Sequence, residues 1–157
     1  MKIESTEFAQ GQPIGRRYTG DGEDVSPPLN FTDVPAATVE LALICDDPDA
    51  PTARPWVHWV IYKIPGDARG LPEGIKRLET LTAPAGALQG ENSWPSDNVG
   101  YRGPAPPPGS GPHRYYFKLY ALDAALDVKP GLDKQELLDA MNEHILAEAQ
   151  LFGTYER

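Results

Sequence analysis

Four side chains with acid–base or hydrogen-bonding capacity stand in two short segments of this sequence. Asp47 lies in Asp46-Asp47-Pro48-Asp49-Ala50-Pro51, and His58 follows in Trp56-Val57-His58-Trp59-Val60-Ile61-Tyr62. His113 and Tyr115 lie in Gly111-Pro112-His113-Arg114-Tyr115, after the stiff run Gly103-Pro104-Ala105-Pro106-Pro107-Pro108. Taken singly, an Asp beside Pro is a turn former, and a His in an aromatic strand is a core side chain bonded to a carbonyl. Together they give one carboxylate, two imidazoles and one phenol. The imidazoles and the phenol supply N–H and O–H donors to phosphate or carboxylate oxygens. Asp47 orients or charges one of the histidines. The expected ligand is a small anion, and its binding is expected to weaken as rising pH strips the imidazoles of protons.

Other chemistries find less support. Two His and one Asp can form a metal triad, but no H-x-x-x-H or H-E-x-x-H spacing is present, and no metal or cofactor is expected. There is no G-x-S-x-G nucleophile motif and no glycine-rich phosphate loop. Ser110, in Gly109-Ser110-Gly111, reads as part of a flexible hinge, and no catalytic residue is assigned. Cys45 ends an apolar run and reads as a buried, inert thiol. His144 reads as a packing or surface residue.

Strands are needed to position these groups. Val39–Cys45 is a near-continuous apolar run, which predicts a central strand buried on both faces. Trp56–Ile64 has strand composition, and period-2 geometry puts Trp56, His58, Val60 and Tyr62 on one face. In Arg114–Ala121 the same rule groups His113, Tyr115, Phe117 and Leu119. Shorter strands are expected near Leu29–Thr32 and within Ala83–Leu88, and Glu91–Pro112 is expected to be loop. Asp133 and Glu136 form a D-x-x-E capping pattern, flanked by Leu132 and Leu137 as a staple. Leu137, Met141, Ile145 and Ala149 recur at helical spacing, which predicts one amphipathic helix over about 133–151 with Gly153 as its stop.

The bulk numbers fit one domain over residues 1–157. Seventeen prolines and 15 glycines favour many turns and a mainly β fold. Fourteen Lys and Arg against 23 Asp and Glu give a net charge of −9, with no basic cluster for nucleic acid. One cysteine excludes an internal disulfide. The N-terminus lacks the apolar core of a signal peptide, and no stretch approaches the ~20 apolar residues of a membrane span. A cytoplasmic protein is expected.

With these motifs in view, the chain resembles the phosphatidylethanolamine-binding protein family, in its bacterial and archaeal branch of Raf kinase inhibitor-like proteins. Asp47-Pro48-Asp49-Ala50-Pro51 is similar to the family's D-P-D-x-P motif, and Gly111-Pro112-His113-Arg114 to its G-x-H-R motif. Asp24-Val25-Ser26-Pro27-Pro28-Leu29 precedes them, and Gly153-Thr154-Tyr155 follows. The resemblance implies an antiparallel β-sandwich with flanking helices and a pocket for phosphate-like groups. It carries the pocket onto Asp47, Trp56, His58, His113 and Tyr115. It also implies cis peptide bonds near the first loop, with Ala50-Pro51 and Arg54-Pro55 as candidates.

The function expected is non-enzymatic binding of a small anionic, phosphate-like group in a fixed pocket, with regulation of a kinase or other partner as one outcome. One alternative is a hydrolase using His58, His113 and Asp47 as acid–base groups. The other is a protease or kinase inhibitor acting through its surface. An aromatic and proline-rich surface leaves a homodimer open.

Overall fold

The strands of this protein are the apolar runs of its sequence, paired into two antiparallel sheets; the computed structural model describes residues 1–157. The smaller sheet has the order β1-β2-β5, from Lys2–Glu4, Leu29–Thr32 and Gly70–Leu71. The larger has the order β6-β4-β3-β7-β8, from Leu88–Gln89, Trp56–Pro65, Glu40–Asp47, His113–Leu122 and Ile145–Tyr155. β3 is central and buried at every residue, as its unbroken apolarity requires. The sheets pack face to face. Ile3, Leu29, Phe31 and Leu71 of the small sheet meet Leu43, Trp59, Ile61, Phe117 and Leu119 of the large one. Each of these side chains contributes about 1.5–3 kcal/mol of burial.

A helix, α1 (Lys134–Met141), covers the other face of the large sheet. Both bonds of its capping box form: the Asp133 carboxylate accepts the Glu136 N–H at 2.8 Å, and Glu136 accepts the Asp133 N–H at 3.2 Å. Leu132 and Leu137 are both buried in the apolar layer beneath it, with Met141, Val60 and Tyr62.

The helix is far shorter than the predicted 133–151. It stops at Asn142, and Glu143 enters the left-handed region at φ 67°. Ile145–Tyr155 then forms β8, which pairs with β7 over ten residues. Its Ala, Leu, Glu and Gln favour a helix, but the ladder to β7 overrides that weak local preference. Gly153 is therefore a strand residue. A Cβ there would lie 2.5 Å from Ile14 Cγ1 and 2.8 Å from Phe8 Cδ2, so the close approach of the N-terminal segment requires glycine. His144 lies in the turn between α1 and β8 and bonds Asp123 at 2.9 Å.

The simple alternation predicted for β4 also fails. Asp46 pairs with Val57 and Cys45 with Trp59, so His58 is an extra, bulged residue. A second irregularity lies opposite Leu41–Leu43, where Lys63 adopts φ 52°. Val57, Val60 and Tyr62 consequently face α1, whereas Trp59, Ile61 and Ile64 face the small sheet. Alternation in β7 holds as predicted. The predicted strand within Ala83–Leu88 reduces to β6. The cis peptide bond is at Ala83-Pro84, not at Ala50-Pro51 or Arg54-Pro55. No helix is long and apolar enough to cross a membrane.

Candidate functional site

The five residues singled out from the sequence line one cavity of about 260 Å³. Asp47 ends β3, and the alternation along that strand turns it toward the cavity. Its neighbour Asp46 turns to the opposite face and pairs there with Lys134 at 2.6 Å. Trp56 opens β4 opposite Asp47. The bulge re-aims His58 onto the same side, the usual consequence of an extra residue beside a site. His113 and Tyr115 project from the start of β7. The His58 and Tyr115 rings meet edge to face at 5.1 Å, and the His113 and Tyr115 rings lie 6.5 Å apart. Both imidazoles thus flank the Tyr115 ring.

Hydrogen bonds fix what each group can offer. His58 Nδ1 lies 2.6 Å from the Arg102 carbonyl, an acceptor, so Nδ1 carries the proton. Burial pushes the His58 pKa down to about 4, against the pull of that carbonyl and of nearby carboxylates. The ring is neutral at pH 7, and Nε2 presents a lone pair. His113 Nδ1 donates to Asp47 Oδ2 at 2.7 Å, and its Nε2 lies 3.0 Å from Ser110 Oγ. The other oxygen of Asp47 accepts the Asp49 N–H at 2.7 Å. Burial raises the Tyr115 pKa, so its phenol stays protonated; that hydroxyl bonds no other group of the chain. The expectation of two imidazole donors is therefore corrected. Among the ring groups of His58, His113 and Tyr115, those left free are one donor, Tyr115 O–H, and one acceptor, His58 Nε2. No three His, Cys, Asp or Glu side chains converge at metal-ligand spacing.

The walls explain the loop sequences. Asp49 clamps Arg114 through both carboxylate oxygens at 2.9 Å, which ties the D-P-D-x-P loop to the start of β7. Asp24 accepts the Gly103 N–H at 2.7 Å and pairs with Arg77, which anchors the segment leading to Ala105, Pro106 and Pro107. Those three residues line the cavity opposite Ala50 and Pro51. Cys45 is buried, and burial pushes its thiol pKa well up, which keeps it inert.

Trp94 escaped the sequence reasoning, and Ser110, read there as part of a hinge, makes a contact that reading did not foresee. Trp94 also lines the cavity and stands edge-on to Trp56 at 5.5 Å and to His58 at 5.0 Å, with Arg102 stacked 4.6 Å above it. Its signal was a lone tryptophan among the turn formers Asn92, Ser93, Pro95 and Ser96. Ser110 touches His113 across a three-residue spacing that no familiar motif marks.

The chain as a whole has close relatives. A family model described as phosphatidylethanolamine-binding protein matches residues 4–156. A UPF0098 protein of Methanothermobacter thermautotrophicus is 50% identical over 157 residues, covering 100% of this chain and 99% of the relative. A putative phosphatidylethanolamine-binding protein homolog from Chlamydia trachomatis superposes with a TM-score of 0.87 at 39% identity, covering 99% of this chain and 97% of the other. YbcL of E. coli, a member of the same family, superposes with a TM-score of 0.89 at 31% identity, covering 99% and 98%.

Proposed function

The chain belongs to the phosphatidylethanolamine-binding protein family, and from that premise we propose that its cavity binds a small phosphate-like anion in a protonated form. The observation that carries this is the pairing of a free donor, Tyr115 O–H, with a free acceptor, His58 Nε2, on neighbouring rings. A monoprotonated phosphoryl group matches both: an oxygen accepts from Tyr115, and its own P–O–H donates to His58. Asp47 and His113 form a closed pair beside it and hold the wall in place.

Energies favour the ligand as the proton's carrier. Charging His58 at pH 7, against a pKa of about 4, costs about 4 kcal/mol. Protonating a phosphate monoester at the same pH, against a second pKa near 6, costs about 1.4 kcal/mol. The bound species is therefore the monoanion. Binding weakens as pH rises because the ligand loses its second proton, not because His58 loses one.

Calorimetric titration with inorganic phosphate and with phosphoethanolamine tests this. Both are expected to bind more tightly at about pH 5.5 than at about pH 7.5, following the second phosphoryl ionisation. Tyr115→Phe is expected to weaken binding by roughly tenfold or more, the loss of a hydrogen bond to a charged group. Absence of binding by both ligands at the lower pH would overturn the proposal.

A further inference from the structure

We propose that Ser110, His113 and Asp47 form a nucleophilic relay that transfers acyl groups from small esters through a covalent ester on Ser110. This goes beyond the anion-binding proposal, which uses Tyr115 and His58, and does not rest on it. Ser110 Oγ stands 3.0 Å from His113 Nε2, and His113 Nδ1 stands 2.7 Å from Asp47 Oδ2. These are the contacts of a serine nucleophile, its base and the carboxylate that orients the base. The order Asp, Ser, His along the chain is immaterial, because such sets are defined by geometry and role.

The carboxylate settles the tautomer. Asp47 is buried, and its Oδ2 is an acceptor, so Nδ1 holds a proton toward it and Nε2 is the ring atom that faces Ser110. Asp47 cannot swing away, since its Oδ1 is held by the Asp49 N–H. The serine is exposed, so an ester can reach it. It follows the Pro106 and Pro107 wall of the cavity, while His113 itself lines that cavity.

A second feature points the same way. Gly109 and Gly111, on either side of Ser110, both adopt φ 79°, with open space around them. The Gly111 N–H donates to no group of the chain. The N–H that follows a nucleophile is a recurrent donor to the developing oxyanion. Ser110 Oγ also lies 2.7 Å from the Pro107 carbonyl. Its single proton goes to that carbonyl or to His113, and a rotation about one side-chain torsion moves it between them.

The reaction balances without a co-reactant other than water. Ser110 Oγ forms a bond to the ester carbonyl carbon as its proton passes to His113 Nε2. The alkoxide leaves as the original C–O bond breaks, and it takes that proton. Water then attacks the acyl-serine and gives a proton to Nε2. The Ser110 ester bond breaks, Oγ recovers the proton, and a carboxylic acid departs.

Treatment of the wild-type protein with a fluorophosphonate, followed by peptide mapping, is the test. The phosphonyl adduct is expected on Ser110. It should be absent in Ser110→Ala and reduced roughly a hundredfold in His113→Gln, where the serine remains but its base is gone. Hydrolysis of p-nitrophenyl acetate should fall with the labelling in both variants. An unlabelled wild type, an adduct confined to any other residue, or undiminished ester hydrolysis in Ser110→Ala would overturn the proposal. The wild-type map decides even if a variant fails to fold.

Discussion

Acid should destabilise this protein through His58, by an amount that follows from its environment. The ring is 3% exposed, and burial lowers its pKa from 6.5 to about 4. A base whose folded pKa is depressed stabilises the fold fully above its unfolded pKa. That contribution is lost as pH falls from about 6.5 and is gone by about pH 4. A gap of about 2.5 units at 1.36 kcal/mol each gives a total loss of about 3 kcal/mol, of which about 1 kcal/mol is lost by about pH 5.5. A domain with about 5–15 kcal/mol in hand will register this clearly. Carboxylates also titrate in acid, so the comparison needs a matched variant. His58→Asn retains an N–H toward the Arg102 carbonyl and removes the titration. Urea unfolding of both proteins at about pH 7.5, 5.5 and 4.5 gives the difference directly. The stability gap between them should shift by about 2–3 kcal/mol in favour of the variant across that range. NMR titration of the His58 Cε1 proton should show a midpoint near 4. Parallel pH profiles, or a midpoint near 6.5, would refute the reasoning.

Two further outcomes follow from the packing. Trp94→Ala removes the ring that stands edge-on to His58, so water should reach the imidazole and its NMR midpoint should move up toward 6.5; a midpoint still near 4 would show that other walls keep it dry. Gly153→Ala tests the close packing of β8 on the N-terminal segment. In the observed strand its Cβ meets Ile14 and Phe8, and urea unfolding should show a loss of about 1–3 kcal/mol; unchanged stability would contradict that packing.

Much of the sandwich was legible because its main strands carry their own signals. Of the run Val39–Cys45, residues 40–45 are interior as its apolarity requires while Val39 lies exposed at the strand's entry, and β7 alternates without interruption. The Asp133–Glu136 capping box located the start of α1 to the residue. The errors share a cause: long-range pairing overruled a local pattern. Ile145–Ala149 has helical spacing and composition, yet β7 offers it an unpaired edge. His58 sits in an alternating run, yet a bulge against β3 turns it toward Tyr115 and away from Tyr62. The site residues were legible as types in stiff loops, but their hydrogen-bond roles were not. That His58 accepts while Tyr115 donates depends on the Arg102 carbonyl, 44 positions away in the chain. The contact of Ser110 with His113 depends on the left-handed glycines around it.

The most direct measurement is a crystal grown at about pH 5.5 and soaked in inorganic phosphate, below the second phosphoryl ionisation. Tetrahedral density is predicted within hydrogen-bond distance of both His58 Nε2 and Tyr115 O–H, with the Asp47–His113 bond intact. Density that instead breaks that bond to reach His113, or a cavity holding only water at saturating phosphate, would contradict the account.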